Sequence, residues 1–162
     1  MKKIIIFVFF LGLIALPIFA AGDLKRPNLA KAQYYIDQAL LKITDAQKAN
    51  ERDLGGHAAK AKTHLEAASE EIKLADIKGS ETPGGGSIEE DAVLKDHTLT
   101  ESEQNHPNLA KAQLLIDAAQ QRITDAQNAN EFDMGGHAAK AKTHLEEGIK
   151  EVKLAAEEAT KH

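Results

Sequence analysis

The sequence predicts an all-α protein, a four-helix bundle made of two tandem αα-hairpins. Three observations carry that expectation. Small and apolar residues recur at alternating spacings of three and four, a helical period with a heptad seam. A pair of glycines interrupts the period once in each half, at Gly55-Gly56 and Gly135-Gly136. The segment Pro27-Asn28-Leu29-Ala30-Lys31-Ala32-Gln33 returns unchanged as Pro107-Asn108-Leu109-Ala110-Lys111-Ala112-Gln113.

Composition narrows the alternatives. The 162-residue chain has no Cys or Trp and only 4% aromatic residues. That is poor material for a β-sandwich, whose strands favour aromatic and β-branched side chains. Lack of Cys removes disulfides, thiolate metal sites, Cys nucleophiles and covalent haem attachment. A formal net charge of -5 argues against a nucleic-acid partner.

The elements follow in order. Met1-Lys2-Lys3 is a short basic start, Ile4 to Ile18 an apolar run, and Phe19-Ala20-Ala21-Gly22 a small-residue end. This is the pattern of a secretory signal peptide over residues 1–20, cleaved near Ala20. The expected mature protein is periplasmic or secreted and has no membrane attachment after cleavage.

The first hairpin repeat covers 27–78. Leu29, Ala32, Ile36, Ala39, Ile43 and Ala46 form one seam on a helix expected near 27–53. Pro27 stands near its start, where a missing N–H costs nothing. After the Gly55-Gly56 turn, Ala58, Ala61, Leu65, Ala68, Ile72 and Ala75 form the seam of a helix expected near 57–78. Residues 79–106 read as a flexible linker, led by Gly79-Ser80-Glu81-Thr82-Pro83-Gly84-Gly85-Gly86-Ser87. Ser87 and Glu90 suit a capping box for a short helix over Ile88–Leu94. The second repeat, 107–160, restates both seams on helices expected near 107–133 and 137–160.

Between 27–75 and 107–155, 35 of 49 positions are identical. Copies this alike point to a recent duplication, so identity between them does not single out functional residues. Each copy has few large seam residues, and one hairpin should not hold itself together alone. The linker permits either relative orientation. An up–down hairpin returns the chain to where the next copy begins, so the expectation is that both Gly-Gly turns lie at the same end. His57 would then share a layer with His137, and His64 with His144.

Histidine carries the only candidate chemistry. Gly56-His57-x6-His64 recurs as Gly136-His137-x6-His144, and seven residues further on stand Glu71 and Glu151. A step of seven is two helical turns, about 10.5 Å, so neighbours on the stripe cannot share one ion. Chelation within a helix needs a spacing of three or four. Any site must therefore recruit a second helix. The stripe borders the seam, on the flank that faces a neighbour. Imidazole with carboxylate there suits Cu²⁺, Ni²⁺ or Zn²⁺. His57 and His137 also stand at helix N-termini, where the positive dipole end disfavours imidazolium. His97, His106 and His162 are expected to be solvated.

The segment Gly56-His57-x6-His64-Leu65-Glu66, with its copy at Gly136 to Glu146, resembles the repeating unit of the periplasmic small metal-binding protein (SmbP-type) family. The resemblance implies a small exported Cys-free helical bundle that binds divalent metals including copper. It implies metal-ligand roles for His57, His64, His137 and His144. That family is richer in His, and its next heptad step is occupied here by Glu71 and Glu151.

Other classes find less support. Asp45, Asp53, Thr63 and His64 form no nucleophile–base–orienter set, so an enzyme is not expected. A b-type haem would need an axial pair, and Met134 falls in a turn. The competing expectation is a non-metal interaction or scaffold module of the cell envelope, with a protein partner or as a homo-oligomer.

Overall fold

The computed structural model describes residues 24–49, 54–78, 104–129 and 134–161. Four long helices make up almost all of it: α1 (Pro27–Ala49), α2 (His57–Lys78), α3 (Pro107–Ala129) and α4 (His137–Thr160). They form an all-α four-helix bundle, with no strand among the described residues. The expected signal peptide and the linker helix over Ile88–Leu94 lie outside the described residues. So do 50–53 and 130–133, the expected last turns of the first and third helices.

Helix boundaries follow from local chemistry. Pro27 and Pro107 are the first helical residues. Just before them, the carbonyls of Arg26 and His106 accept the N–H of Ala30 and Ala110. At each turn three successive residues take positive φ: Leu54, Gly55 and Gly56 in the first repeat, Met134, Gly135 and Gly136 in the second. A left-handed run of this kind reverses the chain and ends the right-handed helix pattern. The glycines adopt it freely. Leu54 and Met134 do not, and each costs on the order of 1 kcal/mol there. Their side chains are 3% and 1% exposed, so burial offsets the strain.

Every seam residue expected from the heptad pattern is buried. The seams pair across repeats rather than within them. α1 packs most closely against α3, and α2 against α4, while the two helices of each hairpin touch less. Small residues at every second seam position allow this close approach. Gly148 of α4 illustrates it: Leu65 lies where it would be 3.7 Å from a methyl at that position.

The hairpins are antiparallel, and the expectation of both turns at one end is wrong. A Cβ on Gly55, in the first turn, would sit 3.1 Å from the Glu158 side chain near the far end of α4. Gly135, in the second turn, faces Lys78 at the last residue of α2. The two Gly-Gly turns are thus separated by the length of a helix of 22 residues, about 33 Å. The physical reason lies in the packing. In the opposed arrangement Leu65 of α2 meets Gly148 of α4, and each outer histidine of one helix meets a glutamate of the other. The linker does not oppose this, since 28 residues reach far beyond 33 Å.

The fit at Gly148 gives a direct expectation. The nearest atoms to an added methyl, Leu65 Cδ2 at 3.7 Å and His64 Cβ at 3.8 Å, are at ordinary contact distance. Gly148→Ala should stabilise the bundle by about 1 kcal/mol through helix propensity. A higher melting temperature by calorimetry checks it; a lower one would mean that the glycine is needed for close packing.

The two copies differ at the bundle ends. In the first, the Asp76 carboxylate accepts the backbone N–H groups of Lys25 (3.2 Å) and Arg26 (3.1 Å), and Arg26 is buried. Nearby, Gln33 donates to Ser69 (2.8 Å) and Asp37 (2.9 Å). Burial pushes the Asp37 carboxyl above its ordinary range, against the lowering effects of Gln33 and Lys73. The second copy has Ile149 for Ser69, His106 for Arg26 and Ala156 for Asp76. There an open cleft of about 340 Å³ takes the place of the polar cluster.

Candidate functional site

The antiparallel register places the candidate stripe of α2 against that of α4. A step of seven residues along one helix is a step of seven back along the other. All six candidate residues therefore meet a candidate on the opposite helix, in three layers. In one outer layer His57 Nδ1 lies 2.7 Å from Glu151 Oε2. In the other, His137 Nδ1 lies 2.6 Å from Glu71 Oε2. In the middle layer the rings of His64 and His144 have centroids 6.1 Å apart and planes tilted by 35°. The expected His57–His137 layer does not exist, because those residues sit at opposite ends of the bundle. The expected His64–His144 layer does exist. It survives because it lies at the centre of the stripe, where either orientation brings its members together.

The three layers differ chemically. In the outer layers the side chains are about one-fifth exposed. A carboxylate on Nδ1 makes that nitrogen a donor and leaves Nε2 as the lone-pair nitrogen. This is the arrangement by which a carboxylate orients a histidine toward a metal. Each outer layer thus offers one nitrogen, with its carboxylate already occupied. The central layer differs. No hydrogen bond to the ring of His64 or His144 is found among the described residues, so in each ring either nitrogen is open to serve as the lone-pair donor.

The central spacing suits a shared ion. Metal–nitrogen bonds of about 2.0–2.1 Å place two imidazoles on one ion with ring centroids about 5–6 Å apart. The observed 6.1 Å lies just beyond that range, so the rings must close slightly to share an ion. As the side chains stand, no three His, Asp or Glu residues among the described residues are grouped closely enough to hold an ion. The layers are pairs.

Two features escape a reading of the sequence. The first is the cleft between the start of α3 and the end of α4, walled by Leu109, Gln113, Val152 and Ala156. At its rim the partly exposed His106 pairs through Nε2 with Thr160 Oγ1 at 3.1 Å. Three substitutions between the copies, at Arg26, Ser69 and Asp76, were the available signal. The second is Glu147, one helical turn past His144, where the first copy has Ala67. It pairs with Lys150. The hydrogen bond from Lys150 holds the Glu147 carboxyl below its ordinary range, against slight desolvation and with help from the charges of Lys150 and His64.

Lys62 donates to Thr44 (3.3 Å) and Gln47 (3.4 Å), and Lys142 to Thr124 (3.0 Å). No helix among the described residues is long and apolar enough to cross a membrane. Comparison with known proteins yields no match, whether to a family model, to a curated sequence or to a solved structure.

Proposed function

We propose that the protein is an exported helical bundle that binds a divalent transition metal ion at the α2–α4 seam. One observation supports this above the others. Among the described residues, His64 and His144 face each other at 6.1 Å with no hydrogen-bond partner on either ring, in the only layer where two imidazoles converge. The outer His–Glu layers are secondary positions, each offering a single nitrogen. Two imidazoles with water or carboxylate completing the shell suit Cu²⁺, Ni²⁺ or Zn²⁺ over Mg²⁺ or Ca²⁺, which prefer all-oxygen shells. The pairing is built from two repeats, so an intact bundle is a condition for binding.

The test is titration of the chain with Cu²⁺, Ni²⁺ and Zn²⁺, followed by calorimetry and thermal melting. A ligand at a hundred times its dissociation constant should stabilise by about 2.7 kcal/mol. The His64→Ala/His144→Ala double variant should lose binding. The His57→Ala/His137→Ala variant should keep most of it. Protons compete for imidazole, so affinity should fall as pH drops. If no ion shifts the melting temperature, the metal reading fails and the alternative remains, a non-metal interaction or scaffold module.

A further inference from the structure

The central layer has a third donor within reach that the stripe pattern does not contain. Glu147 follows His144 by three residues on α4, which places both side chains on one face, with Cβ atoms about 5–6 Å apart. The α4 backbone at this point runs directly beside His64. A Cβ on Gly148, the next residue, would lie 3.8 Å from His64 Cβ. The glycine leaves that flank of His64 free of a methyl group, whereas its counterpart in the first copy is Ala68. Glu147 thus shares a face with His144 on its own helix, and the charge of His64 across the seam reaches its carboxylate.

We propose that Glu147 is the third protein ligand of the central layer, so that His64, His144 and Glu147 form one divalent-metal site of two imidazoles and one carboxylate. The inference rests on the metal reading of the seam. In the structure Glu147 is turned toward Lys150, three residues further on, and both side chains are well exposed, at 43% and 65%. Such a pair is worth little and exchanges readily with solvent. Releasing Lys150 to bind an ion is therefore cheap. Two His and one carboxylate leave coordination positions for water, the donor set of an open Zn²⁺, Ni²⁺ or Cu²⁺ site.

Asymmetry between the copies sharpens the assignment. The position matching Glu147 in the first repeat is Ala67. The central layer therefore gains one carboxylate, not two, and the ion does not meet a second negative charge from the other flank. The outer layers have no equivalent, because their carboxylates are already bound to Nδ1 of His57 and His137. The structure thus assigns one principal site to the chain rather than three equal ones.

The experiment is calorimetric titration of the full chain with Zn²⁺ and with Cu²⁺, comparing wild type, Glu147→Ala, Glu147→Gln and the His64→Ala/His144→Ala variant. Glu147→Ala restores the residue of the first copy and touches no buried group, so its metal-free melting temperature should stay that of wild type. The expected result is one principal site in wild type. It weakens about tenfold or more in Glu147→Ala and in Glu147→Gln, and is abolished in the double histidine variant. Lys150→Ala should tighten binding, because it frees the carboxylate. If Glu147→Ala binds as wild type while the histidine variant does not, the carboxylate assignment is overturned and the imidazole pair stands. If wild type binds neither ion, both fall.

Discussion

A chain cut back to residues 24–78 is expected to be largely unfolded as a monomer. The reason is where the seams are satisfied. Ala58, Ala61, Leu65, Ala68, Ile72 and Ala75 are all fully buried in the intact bundle, and α2 packs mainly on α4. Likewise α1 packs mainly on α3. Removing the second repeat exposes both interfaces and leaves only the thinner contact between α1 and α2. It also removes Glu151 from His57. A helix of some 22 residues is marginal in water without an apolar face to bury. Circular dichroism at low micromolar concentration, with sedimentation to establish the species present, is the measurement. A cooperatively melting, helical monomer would show that the hairpin carries its own core.

Leu65→Ala is expected to cost about 2–5 kcal/mol in the intact protein. Leu65 is fully buried, and its Cδ2 faces the backbone of Gly148, which has no side chain to move into a vacated space. The cavity therefore persists, which puts the loss toward the upper part of that range. Domains of this size are stable by about 5–15 kcal/mol, so one methyl cluster decides a large share. Urea unfolding should show a lower midpoint with an unchanged slope. A second substitution checks the mechanism. Combined with Leu65→Ala, Gly148→Ala should recover more than its own stabilisation, because the added methyl fills part of the hole. Strict additivity would mean that the two positions are not in energetic contact.

Much of the fold was legible because its signals are local. Period, proline and paired glycine fix helix type, start and turn within a few residues, and the buried seam matches the heptad positions one by one. What the sequence hid was the relation between the two repeats. Either orientation satisfies a linker of this length, and chain economy pointed to the wrong one. A clue was present in the charge pattern. The stripe reads His, His, Glu at equal steps in both copies, and only an antiparallel match sets each outer histidine against a carboxylate. A parallel match would have set Glu71 against Glu151. The six candidate residues come together in three layers, but their pairing required that register. Glu147 and the α3–α4 cleft were hidden for another reason: they exist only where the copies differ, at positions that a search for repeated pattern passes over.

The opposed hairpins have a consequence for assembly. Their interface is isologous in kind, the same surface presented twice about an approximate dyad, yet both surfaces belong to one polypeptide. The shared seam differs between the repeats only at Ala68/Gly148 and Ile72/Val152, and it does not distinguish a neighbour in the same chain from one in another. Closure within the chain is favoured by the tether, which sets an effective concentration in the millimolar range for linkers of moderate length. Above that concentration, or with the tether shortened below the span of about 33 Å, repeats exchange between molecules into swapped dimers. In such exchanges a first repeat matched with another first repeat brings together two copies of Ala67, and two second repeats bring together two copies of Glu147. Of the three pairings, only first with second places a single carboxylate beside the paired imidazoles, so covalent fusion of the repeats fixes the charge of the seam as well as its geometry.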